Sequence, residues 1–345
     1  KLFRTYYRLR PWIPLPLRKW LQRSRPMEVA AQWYLPTRFM RDLVAAVARE
    51  PAPITTLHPW PDHARWALVL THDVESPVGL KNALRLVEIE AEFGFRSAWN
   101  VIPYLYPVDG AVLQELRDRG CEVGVHGYNH DGRLFESPGT FSRRATFVND
   151  ALDRWQATGF RAPMVHRNLQ WLQQLNVDYD ASCFDIDPYQ AMPGGVGGIW
   201  PFIAGKFVEL PYTLPQDHTL LIARGEADDH ILRQKLEFIT RYHGMALWVT
   251  HPDYLLGDRE LEFYRRFLAH LLATYCFWHA LPSEVSGWWR ERDATSLVNM
   301  EDDKYCLAGP ATARAALAEW SAAGDELEIH WRAAPVSTVS PGLSS

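Results

Sequence analysis

From Trp66 onward, short apolar runs alternate with longer amphipathic ones, and this alternation constrains the fold more than any other feature of the chain. The apolar runs are Trp66–Leu70, Ser97–Ile102, Glu122–His126, Phe207–Leu210, Met245–Thr250 and Tyr275–Leu281. Helix-like runs lie between several of them, at Leu80–Phe93, Ala111–Arg119, Phe141–Thr158, His230–Tyr242 and Asp258–Ala273. Short apolar strands separated by amphipathic helices predict a parallel sheet or a β/α barrel. The 345 residues suffice for one large barrel or two smaller domains.

The flanks read differently. Residues 1–65 are rich in proline and aromatics, with one helical stretch from Pro36 to Arg49. Pro51, Pro53, Pro59 and Pro61 then mark an extended connector. Residues 190–198 hold four glycines and read as a loop. After Trp289 the pattern changes again. Ser296–Met300, Lys304–Leu307, a helix near Thr312–Ala322 and Glu326–Trp331 predict a small appended α+β element, and the residues after Ala334 should be disordered. The expected division is an N-terminal arm and helix at 1–65, a barrel at 66–293 and a C-terminal extension at 294–345.

Charge is unevenly spread. Residues 1–25 hold eight Lys or Arg and no acid, although the whole chain has a formal net charge of −5. With Phe3, Tyr6, Tyr7, Trp12 and Trp20 interleaved, this arm suits either an anionic membrane surface or the acidic body of the same protein. Pro11, Pro14 and Pro16 prevent one continuous amphipathic helix and favour packing on the body. An acidic remainder without a recognised motif argues against nucleic-acid binding. No run of eighteen apolar residues is present and no signal peptide is visible, so the expected location is cytoplasmic, with weak peripheral membrane contact through residues 1–25 as the alternative to a packed arm. The four cysteines are far apart and read as reduced thiols rather than a disulfide framework or a zinc ribbon. The oligomeric state has no signature in the sequence.

Candidate chemistry gathers at the ends of the apolar runs. Asp73 and Glu75 follow the first, His126 ends the third, and His251 closes Met245-Ala-Leu-Trp-Val-Thr-His251. Active sites of β/α barrels form at the C-terminal ends of strands. In Val123-Gly-Val-His126-Gly-Tyr-Asn-His130 two imidazoles stand four residues apart, a spacing that one helical turn would place on the same side. Two neutral imidazoles with a carboxylate make a common catalytic zinc set, although the spacing alone is more often that of surface or core histidines.

Five motifs in order resemble those of the polysaccharide deacetylase superfamily, over roughly Trp66 to Arg290. They are Thr71-His72-Asp73-Val74-Glu75, His126-x3-His130, Arg161-Ala162-Pro163, Asp178-Tyr-Asp180-Ala-Ser182-Cys-Phe-Asp185 and Trp248-Val-Thr-His251. The resemblance implies a distorted β/α barrel and a hydrolase that removes an N-acetyl group from a carbohydrate with one divalent metal ion, zinc. It also implies that Glu75, His126 and His130 are the metal ligands, that Asp73 is the general base, that His251 is the general acid and that Arg161 pairs with Asp73.

Two departures matter. Val74 stands where the family commonly has a second aspartate, so the match is to relatives with an acid-x-acid pattern, and Asp73 as the ligand stays open. Met164 and Val165 replace the glycine usually found after Arg-x-Pro, which leaves a long polymeric substrate open. An amide hydrolase acting on a lipid-linked or small cyclic amide, and a non-catalytic glycan-binding relative, are the alternatives. His72 reads as a core residue or a partner of the site. Trp99 and Trp171 read as core residues or sugar-stacking platforms, and Glu209–His218 as a substrate rim or a plain loop.

Overall fold

The computed structural model describes residues 29–190, 192, 194–274, 276–299 and 305–332. The basic arm at 1–25 and the tail after Ala334 lie outside these residues. The first elements are α1 (Thr37–Val47) and β1 (Ile54–Leu57), followed by the barrel. Its strands are β2 (Trp66–Val74), β3 (Ala98–Val101), β4 (Glu122–His126), β5 (Gly159–Arg161), β6 (Tyr179–Asp180), β7 (Phe202–Ala204), β8 (Phe207–Glu209), β9 (Met245–Thr250) and β10 (Phe277–His279). Its helices are α2 (Pro77–Glu92), α3 (Gly110–Asp118), α4 (Pro138–Arg154), α5 (Leu169–Leu172), α6 (His230–Arg241), α7 (Asp258–Leu272) and α8 (Pro282–Asp293). Ser76 caps α2 and Ser137 caps α4, each followed by a proline in the first turn. Both start where a side-chain acceptor meets a residue with no N–H to satisfy.

All nine residues of β2 are buried, as parallel strands covered on both faces require. Odd positions Ala67 and Val69 pack with Met245, Leu247 and Val249 of β9 in the barrel interior. Even positions Trp66, Leu68 and Leu70 pack outward, in the cluster that contains Leu86 of α2 and Phe267 of α7. Asp73 continues the inward series. His72 belongs to the outward one and stacks on Trp99 with ring centroids 3.9 Å apart. Its Nε2 meets Glu90 of α2 at 2.6 Å, and Thr250 lies against its Nδ1 at 2.8 Å. His72 and Trp99 are fully buried core residues.

The barrel sheet has nine strands, in the order β10-β2-β3-β4-β5-β6-β8-β7, with β9 also on β2. Between β8 and β9 a connecting segment takes the place of strand pairing. Thr213 and Leu214 donate their N–H groups to the Leu247 carbonyl, each at 3.1 Å. The Thr213 hydroxyl receives the Leu247 N–H at 3.1 Å. Pro211 and Pro215 flank this segment, and prolines have no N–H for a ladder, so the barrel closes by local contacts and is distorted.

The two flanking segments meet. β1 pairs antiparallel with β13 (Leu317–Ala323), which pairs with β14 (Glu326–Arg332). Met40, Val44 and Val47 of α1 pack with Leu327 and Ile329 on this sheet. β11 (Ser296–Asn299) and β12 (Tyr305–Ala308) form a separate pair. The helix expected near Thr312–Ala322 is instead a short 3-10 turn, Pro310–Ala313, followed by β13. The alanines there favour a helix, but β1 and β14 supply hydrogen bonds on both edges, and tertiary context overrides propensity. His58 and His243 join the segment before β2 to the barrel, with His58 Nε2 2.7 Å from His243 Nδ1. The His243 carbonyl accepts from the indoles of Trp60 and Trp200 at 2.8 and 2.9 Å. Among the described residues no helix is long and apolar enough to cross a membrane, and all four cysteines are free.

Candidate metal and acid–base centre

The candidate residues converge at the C-terminal ends of β2, β4, β5 and β9. Potential ligand atoms of Glu75, His126 and His130 all lie within 4.8 Å of one another. His126 is the last residue of β4, and His130 sits in the following loop with φ +57°. The four-residue spacing is therefore a strand end and a turn, and the helical-turn geometry considered from the spacing does not occur. Gly127, with φ +66°, makes that turn. A Cβ there would lie 2.3 Å from Cδ of Pro163, so the His-x3-His and Arg-x-Pro segments pack against each other through a missing side chain.

Each member of the trio is poised differently. His126 Nδ1 lies 3.1 Å from the Arg161 carbonyl, which can only accept, so Nδ1 carries the hydrogen and Nε2 presents a lone pair. That Nε2 is buried and has no hydrogen-bond partner among the described residues. Burial, partly opposed by Asp73, lowers the His126 pKa to about 4, so the ring is neutral. Glu75 Oε1 lies 2.8 Å from His130 Nε2 and 3.9 Å from His251 Nε2. Burial pushes the Glu75 carboxyl up, but the His130 charge and hydrogen bond, with His251 and His126, hold it well below the usual range. Tyr254 donates to Oε2 at 3.2 Å, and Asp253 receives the Glu75 N–H at 2.9 Å. A neutral imidazole with an orphaned buried nitrogen, a second imidazole and an ionised carboxylate fit one divalent cation of the zinc type.

Asp73 lies beside this trio, 3.8 Å from His126 Nδ1. Arg161 Nη1 approaches its Oδ1 at 3.5 Å, and Asn100 Nδ2 donates to the same oxygen at 3.0 Å. Burial raises the Asp73 pKa, but Arg161, His126, His251 and the Asn100 hydrogen bond together leave it below the ordinary value. Asn100 is the register partner of both Asp73 and Gly124. A Cβ on Gly124 would come within 2.4 Å of Asn100 Oδ1, so this glycine leaves the space in which Asn100 reaches Asp73.

His251 follows β9. Its Nδ1 lies 2.6 Å from Asp217 Oδ1, and its backbone N–H donates to Asp217 Oδ2 at 2.6 Å. Burial alone would lower the His251 pKa, but Asp217, with Glu75 and Asp73, raises it to about 10. The ring is thus an imidazolium at neutral pH. Asp217 is fully buried at the start of a π-helical stretch, His218–Arg224. Part of the segment considered a substrate rim is therefore the support of His251. Asn100 was not singled out in the sequence, though a polar residue inside the buried run Ala98–Val101 is a signal of its kind.

No protein-family model matches the chain. Solved structures do. A protein from Mycobacterium smegmatis assigned as a polysaccharide deacetylase is similar over 74% of this chain and 99% of its own, at 20% identity and TM-score 0.54. One from Pseudomonas aeruginosa with the same assignment is similar over 68% and 94%, at 14% identity and TM-score 0.52. The chain shares the fold of these two structures. The PuuE allantoinase shares it, over 68% of this chain and 93% of its own, at 13% identity and TM-score 0.54.

Proposed function

We propose that this polysaccharide deacetylase-like chain is a metal-dependent hydrolase that removes an N-acetyl group from a carbohydrate. The observation that carries the reading is the convergence of Glu75, His126 and His130 donor atoms within 4.8 Å, with Asp73 and His251 beside them. These three residues would hold one divalent ion, zinc, which when bound supplies Lewis acidity toward the amide carbonyl and makes water a better nucleophile at neutral pH.

The acid–base work falls to the chain itself. Asp73, kept ionised by Arg161 and oriented by Asn100, takes the proton of the attacking water. His251, kept protonated by Asp217, gives a proton to the leaving amine nitrogen, which is too basic to depart as an anion. Arg161 positions Asp73 and fixes the His126 tautomer through its carbonyl. Their surroundings support Asp73 as the base and Glu75 as the ligand. Asp73 faces Arg161 and Asn100, whereas Glu75 faces His130.

A second reading, hydrolysis of a small cyclic amide, is favoured by one observation, the fold shared with an allantoinase at the same TM-score as the first deacetylase-assigned structure. The test is a substrate panel with zinc-loaded protein: N-acetylated mono- and oligosaccharides, an N-formylated lipid-linked sugar, and allantoin. Acetate and a free amine in equal amounts from the N-acetylated sugars support the first reading. Turnover of allantoin alone supports the second. Zinc-loaded protein that binds the sugars and hydrolyses no member of the panel contradicts both.

A further inference from the structure

Glu75 stands one residue past the end of β2. The register of β2 on β3 pairs Asp73 with Asn100 and Val74 with Val101, and there it stops. Val74 is fully buried and packs outward, in the cluster that contains Leu86 and Phe267. The strand ladder therefore fixes Asp73 and Val74 but leaves Glu75 to be held by other means.

The loop after β9 supplies the hold. Asp253 accepts the Glu75 N–H through Oδ2 at 2.9 Å and the Ser76 hydroxyl through Oδ1. Ser76 is the cap of α2 and receives the Gly79 N–H at 3.2 Å. Asn82, one turn further along α2, donates to the Pro252 and Leu255 carbonyls at 2.9 and 3.0 Å. Tyr254 donates its hydroxyl to Glu75 Oε2 at 3.2 Å, whereas Oε1 is the oxygen turned to His130, at 2.8 Å. Gly79 gives Asp253 its room. A Cβ there would lie 2.2, 2.6 and 2.8 Å from the three atoms of the Asp253 carboxyl group. Glycine is a poor helix former, so its place in the first turn of α2 serves this close approach.

We infer that Asp253 and Tyr254 are positioning residues for Glu75, and that residues 251–254 set the metal ligand and the general acid as one unit. Asp253 fixes the backbone of Glu75. Tyr254 engages Oε2 and leaves Oε1 for the ion. His251, at the head of the same loop, has its Nε2 3.9 Å from that Oε1. The inference rests on the reading of Glu75 as a ligand. Groups that orient a ligand from behind typically contribute roughly 10- to 100-fold to metal affinity.

Zinc competition against a chromophoric chelator, on the full chain, tests the inference with Tyr254→Phe and Gly79→Ala. The first removes one hydroxyl group. The second displaces the Asp253 carboxyl group without altering it. Each should bind zinc about tenfold or more weakly than wild type. At excess zinc each should regain one ion per chain, which a general loss of structure would not allow. Wild-type zinc affinity in both variants overturns the inference. Crystal structures of the metal-free proteins supply a readout that needs no ion. Glu75 Oε1 should leave its place beside His130 in Gly79→Ala, and an unmoved Glu75 overturns the inference. A wild-type chain that binds no zinc refutes the proposed function and leaves the crystal structures to decide this inference. A zinc-bound chain that hydrolyses none of the panel refutes the substrate reading and leaves the affinities to decide it.

Discussion

Asp217 grips His251 with both carboxylate oxygens, one on the ring Nδ1 and one on the backbone N–H, each at 2.6 Å. The grip fixes the rotamer of the ring, aims Nε2 toward Glu75 and keeps a proton on the ring well above neutrality. A buried carboxylate used this way has a testable consequence for the acid half of the reaction.

Replacing Asp217 by Asn keeps the shape but removes the charge that raises the His251 pKa. The ring then loses its proton at much lower pH, so kcat should fall by about 100-fold near neutral pH, within the usual range for a positioned general acid. The alkaline limb of the kcat profile should move to lower pH. Equal kcat values and unmoved profiles in wild type and variant would remove Asp217 from the mechanism.

Gly124→Ala tests the support of Asp73. The new Cβ would meet Asn100 Oδ1, the far end of a side chain that can swing away, so the stability cost should be modest, about 1 kcal/mol. The Asn100 hydrogen bond to Asp73 should be lost with it. Crystallography of the variant would show Asn100 displaced, and kcat should drop with metal content unchanged. An undisturbed Asn100 with unchanged kcat would show that Gly124 serves only packing.

The pair His58 and His243 predicts an acid sensitivity distant from the site. Burial lowers His58 to about 3, helped by His243, and burial lowers His243 to about 4. Both pKa values are lower in the folded than in the unfolded state, so the unfolded chain binds more protons in the interval. Stability from this pair is complete above pH 6.5 and is lost as pH falls toward about 4 and then about 3. Each unit of depression corresponds to about 1.4 kcal/mol. Asn at position 243 tolerates the φ of +51° found there and can still accept from His58. Urea unfolding between pH 7 and pH 4.5 should show a steeper loss in wild type than in His243→Asn. Parallel curves would contradict the assignment.

The fold was legible where periodicity had room to show. The predicted run Glu122–His126 and the helix-like run beginning at His230 lie where β4 and α6 form, because five or more residues carry a period. β5 and β6, with three and two residues, are too short for that and are not among the predicted runs, although the motif residues Arg161 and Asp180 that end them were named. The residues brought together at the strand ends were legible as residue types in order. Their supports were not. Asn100 reaches Asp73 only through strand register, and Asp217 reaches His251 through a π-helical turn that no local pattern announces. The His126 and His130 spacing was compatible with a helix, and the left-handed residues Gly127 and His130 decide otherwise.

The central claim is that Glu75, His126 and His130 bind the ion while Asp73 acts on water. Metal stoichiometry and kcat of Asp73→Asn, measured on the same zinc-loaded preparation with an N-acetylated sugar, test it most directly. The amide is nearly isosteric but cannot accept the proton, so one metal per chain should remain while kcat falls by about 100-fold or more. Loss of the metal together with activity, or full activity with the metal in place, would contradict the account.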